Sequence, residues 1–198
     1  MASVLIAGSS HVKRFEQFVN QKQEFRNLHL NPNVCVTFYG MSGGKLTNNC
    51  HLEALEQKLR HVSPDFLILH LGGNDLDTAT ADEAYAYELC LRLCCIAETF
   101  TSRFKIKKTV ICQLMPRYRT RFLDITIYNE LVIKFNKALK RELVGKDFLQ
   151  YWNLKGVKNS ERTVFCDGVH LNNEWGMPIY YRNLRGAIIQ CLKYARQY

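Results

Sequence analysis

No run of apolar residues in this chain of 198 approaches the roughly 20 needed to cross a bilayer, so a helical membrane span is not expected. The start, Met1-Ala2-Ser3-Val4-Leu5-Ile6-Ala7-Gly8, puts no basic residue ahead of its apolar stretch and reads straight into a buried strand. A secretory leader is therefore not expected. None of the eight cysteines pairs with another at C-x-x-C spacing, and no Cys/His cluster has metal-ligand spacing, so the reading includes no metal site. Cys35, Cys90, Cys94, Cys95, Cys112 and Cys191 lie in apolar periodic segments, where free thiols act as small hydrophobes. Reduced thiols, and with them an intracellular, cytoplasmic location, are the expectation. Internal repeats, low-complexity stretches and linkers are also lacking. The length suits one substantial core and not two, so residues 1–198 are expected to form a single domain.

The apolar content of 47% and charged content of 23% belong to a water-soluble globular chain. Short apolar runs at 4–7, 34–38, 66–71, 109–114 and, more weakly, 148–152 read as strands covered on both faces. Amphipathic stretches at 11–22, 46–60, 81–100, 124–143 and 177–195 read as helices between and after them. Asp124 is a candidate N-cap, Gly145 a stop, and Pro178 suits a first helical turn. The alternation predicts an α/β fold, a three-layer α/β/α sandwich around a mostly parallel, five-stranded sheet. In such sheets ligands bind beyond the carboxyl ends of the strands.

Five segments fall at that edge. Gly8-Ser9-Ser10-His11 follows the first strand, Gly40-Met41-Ser42-Gly43-Gly44 the second, Gly72-Gly73-Asn74-Asp75 the third, and residues 115–121 the fourth. Asp167-Gly168-Val169-His170-Leu171 precedes the last helix. A serine hydroxyl is a weak nucleophile unless a base stands beside it. His170 is the candidate base, and Asp167, three residues earlier, would hold its tautomer and stabilise the cation that forms. The N–H of Ser10 would lie at a helix start, where partial positive charge favours an oxyanion. Asp75 is read as structural, fixing its loop by hydrogen bonds to nearby amides. His11, His51, His61 and His70 are given no chemistry.

These blocks resemble those of the SGNH hydrolase superfamily, the GDSL-type esterases and lipases, which have a flavodoxin-like sheet. The resemblance runs from the first strand into the last helix, with Gly-Gly-Asn-Asp and Asp-x-x-His-Leu as its specific part. It implies hydrolysis of carboxylic esters through an acyl-enzyme, with no cofactor. It also implies that Gly43 and Asn74 complete an oxyanion hole with Ser10. The family's first block is Gly-Asp-Ser, whereas here it is Gly8-Ser9-Ser10, which leaves two adjacent serines as candidates. Ser10 is the one that matches the family serine. Short acyl groups such as acetyl are expected, since no apolar lid interrupts the core pattern.

The chain carries 27 basic and 18 acidic residues, a formal charge of +9. Such an excess attracts nucleic acid or anionic lipid. Pro116-Arg117-Tyr118-Arg119-Thr120-Arg121-Phe122 should overhang the same sheet edge, making Arg117, Tyr118 and Arg119 candidates for a substrate rim. The basic balance is similar to that of the SGNH esterase domains of LINE-type retrotransposon first-open-reading-frame proteins. It is equally similar to that of other short eukaryotic members of the superfamily. A second reading is therefore a catalytically weak SGNH-fold binding domain, on which Ser9 replaces the usual Asp and the basic surface contacts nucleic acid or anionic lipid.

Overall fold

A computed structural model of the chain describes residues 1–198 except 22–24, 26, 158–161 and 196–198. Five strands, β1 (Ala2–Gly8), β2 (Val34–Gly40), β3 (Phe66–His70), β4 (Lys108–Cys112) and β5 (Leu149–Trp152), form one sheet in the order β2-β1-β3-β4-β5. Every neighbouring pair is parallel. The helices are α1 (Ser10–Asn20), α2 (Asn49–Val62), α3 (Gly73–Leu76), α4 (Glu83–Arg103), α5 (Ile125–Glu142) and α6 (Gly176–Tyr194). The helix expected over 11–22 thus ends at Asn20, and its expected last residue, Lys22, lies outside the described residues.

The strands are largely apolar because both faces of the sheet are covered, most fully at β1, β3 and β4, whereas the edge strands β2 and β5 are only partly buried. Side chains alternate across a strand. Leu5, Ala7, Leu67, Leu69 and Ile111 therefore enter one core, which α2, α4 and α5 close. Val4, Ile6, Phe66, Ile68, Val110 and Cys112 enter the other, which α1 and α6 close. Cys90, Cys94, Cys112 and Cys191 are buried as expected, whereas Cys35 and Cys95 are exposed, since each points to the solvent side of its element. Among the described residues no helix is long and apolar enough to cross a membrane.

Several ends differ from the sequence reading for local reasons. The helix expected from residue 46 starts at Asn49, because Asn48 caps it by accepting the His51 N–H. Leu46 and Thr47 are held outside it by hydrogen bonds to Asp75. Asp124 does cap α5, accepting from the N–H groups of Thr126 and Ile127.

The chain runs from β1 outward to β2, then crosses back to β3 on the other side of β1. The order reverses at β1, and a crevice opens there beyond the strand ends. Ser10 stands at this reversal, as the first residue of α1. The helix sits close: a side chain at Gly40 would overlap the Lys13 backbone at 2.1 Å.

Candidate active site

Ser10 and the loop before α6 meet at the crevice. Ser10 Oγ lies 2.9 Å from His170 Nε2, and His170 Nδ1 lies 2.7 Å from Asp167 Oδ2. The other Asp167 oxygen accepts the backbone N–H groups of His170 (2.7 Å) and Val169 (3.0 Å). Partial burial raises the Asp167 pKa, but the His170 and Val169 hydrogen bonds outweigh it and hold the carboxyl well below the usual carboxylate range. An ionised Asp167 can only accept, so Nδ1 carries the proton and Nε2 faces the serine as an acceptor. Arg14, on α1, adds a weaker contact, 3.7 Å from Asp167 Oδ2.

Ser9, the residue in place of the usual Asp, is buried and caps α1 without a side-chain hydrogen bond to the helix. Its N–H donates to the His70 carbonyl at 3.2 Å. Ser9 therefore faces inward while Ser10 reaches the crevice. As the first residue of α1, Ser10 has no residue four positions earlier in the helix to accept its N–H, whereas the Val12 N–H is taken by the Ser9 carbonyl at 3.0 Å.

The two glycine-rich loops are tied together. Asp75, buried, accepts from Leu46 N (3.0 Å), Thr47 N (2.9 Å) and Thr47 Oγ1 (2.9 Å), which is the loop-fixing role expected of it. Asn74 Nδ2 donates to the Gly44 carbonyl at 3.1 Å. Gly44 commits its own N–H to the Met41 carbonyl (3.1 Å), whereas Gly43 lies at the crevice with φ +66°, a conformation that favours glycine.

Arg117 lines the cleft from within its wall and is only 7% exposed. Its Nη1 donates to Asp77 Oδ2 at 3.0 Å and its Nη2 to Asn74 Oδ1 at 2.6 Å, while the guanidinium lies 5.0 Å from the Tyr128 ring centre. A guanidinium only donates, so the Asn74 atom facing it must be the oxygen. The amide nitrogen is thereby turned to the other side, with one hydrogen for Gly44 and one left over. Tyr118 is displaced from the expected rim: its ring packs 5.4 Å from that of Phe165, and the side chain lines a separate groove beside β5. Of the three candidates only Arg119 presents an exposed side chain to the crevice.

The loop carrying these residues is pinned at both ends. Tyr118 N and Arg119 N donate to the Gly168 carbonyl at 2.7 and 3.2 Å. Arg121 N and Phe122 N donate to the Asp77 carboxylate at 2.9 and 3.1 Å. Asp77 and Lys45 carried no signal in the sequence reading, whereas Arg121 lay within the basic stretch expected at this edge. Asp77 follows Gly-Gly-Asn-Asp by two residues and Arg121 belongs to the basic stretch, but their meeting spans 44 positions.

Two further histidines lie beneath the serine. His11 stacks on His70 with ring centres 5.4 Å apart, and stands 5.6 Å from His170. Both are buried, and His70 Nδ1 lies 2.7 Å from the Tyr180 hydroxyl. Burial, with the nearby His70 second, holds His11 well below the ordinary histidine range; burial brings His70 down to about 4, against a weaker opposing hydrogen bond at the Gln113 backbone. Both rings are neutral near neutrality.

The architecture is shared with solved esterases and lipases. A GDSL-like lipase of Bacteroides thetaiotaomicron aligns with 95% of this chain and 88% of its own at a TM-score of 0.72 and 16% identity. A lipase from a goat rumen metagenome aligns over 94% of this chain and 97% of its own, at a TM-score of 0.67 and 16% identity. An acetyl esterase variant crystallised with an acetate ion aligns over 98% and 99%, at a TM-score of 0.62 and 15% identity. The chain thus has the α/β fold of the SGNH, GDSL-like hydrolases. No family model and no curated protein matches it by sequence.

Proposed function

We propose that the protein is a serine esterase that cleaves carboxylic esters of short acyl groups, acetyl among them, through an acyl-enzyme. One observation carries the reading. A hydroxyl from residue 10 and an imidazole from residue 170, itself bonded to a carboxylate, stand in series at hydrogen-bonding distance. In this reading His170 Nε2 takes the Ser10 proton as Oγ attacks the ester carbonyl, and returns it to the departing alcohol. Water, deprotonated by the same nitrogen, then attacks the acyl-Ser10 carbonyl, and His170 returns that proton to Ser10 Oγ as the carboxylic acid leaves. Asp167 stays ionised and stabilises the imidazolium.

The oxyanion formed in each step would be met by the N–H groups of Ser10 and Gly43 and by the remaining Asn74 Nδ2 hydrogen. Arg117 acts through Asn74, as a positioning residue. Esterases and lipases among the structural neighbours add support. The test is turnover of a chromogenic acetyl ester by three forms of the folded protein. Wild type should be active, Ser9→Ala should retain much of that activity, and Ser10→Ala should lose it. The reverse order of the two variants would refute the assignment.

A second reading, contact with nucleic acid or anionic lipid, is favoured by the groove beside β5. Lys137, Lys140, Lys155 and Arg182 line it together with Tyr151 and Trp152, and among the described residues no acidic side chain lines it. Binding across a salt series checks it, because phosphate contacts weaken steeply as salt rises.

A further inference from the structure

A cleft lined by Gly43, Asn74 and Asp167 has a volume of about 570 Å³, and its walls are unequal in charge. Four cationic side chains line it, Lys45, Arg117, Arg119 and Arg121, against two carboxylates, Asp77 and Asp167. Both carboxylates are already engaged. Asp77 pairs with Arg117 inside the wall, and Asp167 is held by His170 with Arg14 behind it. Lys45, Arg119 and Arg121 have no carboxylate within 4 Å among the described residues.

These cations are not on a loose tether. Arg119 and Arg121 belong to the loop pinned by Gly168 at one end and Asp77 at the other. Arg121 lies 5.1 Å from the centre of the Phe122 ring, which orients the guanidinium without neutralising it. Lys45 lines the same cleft from the loop after β2, one residue beyond Gly44, whose carbonyl binds Asn74. The positive wall therefore borders the position where the ester carbonyl would lie.

From this we infer that the esterase substrate carries an anionic group, a phosphate or a carboxylate, which Lys45, Arg119 and Arg121 hold while the ester lies at Ser10. The inference rests on the esterase reading and specifies its substrate class. Planar guanidinium forks bind either anion through paired N–H donors, and a lysine adds a point charge. The same field draws an anionic ester into the cleft, an effect that is strong at low salt and screened at high salt.

The experiment compares acetyl esters of one phenol scaffold whose remote substituent is a phosphate, a carboxylate or a neutral methyl ester. Each kcat/KM is divided by the spontaneous hydrolysis rate, so that leaving-group differences cancel. In wild type the ratio of anionic to neutral ester should exceed about tenfold at ~0.01 M salt and collapse near ~1 M. It should fall to about one in K45Q/R119Q/R121Q, with folding checked by circular dichroism. The phosphate and carboxylate arms show which anion is preferred, and a preference for either supports the proposal. A wild-type ratio near one, or a ratio unchanged in the triple variant, overturns it while leaving the esterase reading intact. If no ester is turned over, that reading fails, and binding of phenyl phosphate and benzoate, followed by NMR shifts, decides the anion site alone. Saturable binding lost in the triple variant supports the site, and absence of binding in wild type overturns it.

Discussion

Acidification should destabilise this protein well above the range where carboxylates titrate, because two neutral histidines are sealed beneath the site. His70 is buried, with a folded pKa of about 4 against about 6.5 in an unfolded chain. A histidine with a lowered folded pKa stabilises the fold fully above its unfolded pKa. Below that value the unfolded chain binds the proton that the folded one refuses, so stability falls as pH falls. The gap of two to three pKa units corresponds to about 3 kcal/mol once pH has dropped to about 4, of which about 2 kcal/mol is lost by about pH 5. His11 is shifted in the same direction and adds to the slope. Asp167 does not blur the window, since its loss of stability begins only as pH falls below its unfolded value of about 4. For a domain of this size, 2 kcal/mol is about 4–8 °C in Tm. Thermal unfolding followed by circular dichroism from about pH 7 to about pH 5, at constant ionic strength, measures it. His70→Gln removes the titrating group and leaves an amide for Tyr180, and it should flatten the profile. A Tm independent of pH across this window, or a slope unchanged by His70→Gln, would refute the reasoning.

Asn74→Ala should lower kcat by about 100- to 1,000-fold with little change in KM, as expected of a donor used mainly in the transition state; steady-state kinetics on an acetyl ester checks the split. Arg117→Leu should do two things at once. It leaves the Asp77 carboxylate buried and unpaired, which costs about 3–5 kcal/mol in denaturant unfolding. It also frees the Asn74 amide to turn, so kcat should drop in the protein that remains folded. Arg117→Leu with wild-type kcat would show that Asn74 needs no such anchor.

Much of the fold was legible because burial on both faces leaves the central strands as apolar runs, seen in Phe66–His70, where every residue is buried. The helices were legible from their apolar periodicity, and two of their starts shifted where a capping side chain competed, as Asn48 does at α2 and Asp82 at α4. The short helix α3 was not legible: its four residues, Gly73–Leu76, are too few for periodicity, and Gly72 at φ +111° reads simply as a turn. Within the site, the serine, histidine and aspartate could be read because topology brings strand ends and the loop before α6 to one edge. The fate of Arg117 could not be read so. Whether an arginine in a basic stretch faces solvent or a buried carboxylate depends on a partner 40 residues away, and nothing local distinguishes the two. Tyr118 illustrates the same limit, since its packing on Phe165 is set by the Gly168 contact and not by its neighbours in sequence.

Ester cleavage as proposed depends on the reactivity of one hydroxyl. Incubation with a serine-reactive phosphonate, followed by peptide mass spectrometry, locates the adduct. Wild type should be labelled on Ser10, and the same folded protein carrying His170→Ala should not be labelled. An adduct on Ser9, none at all, or one that forms equally well without the His170 imidazole would contradict the account.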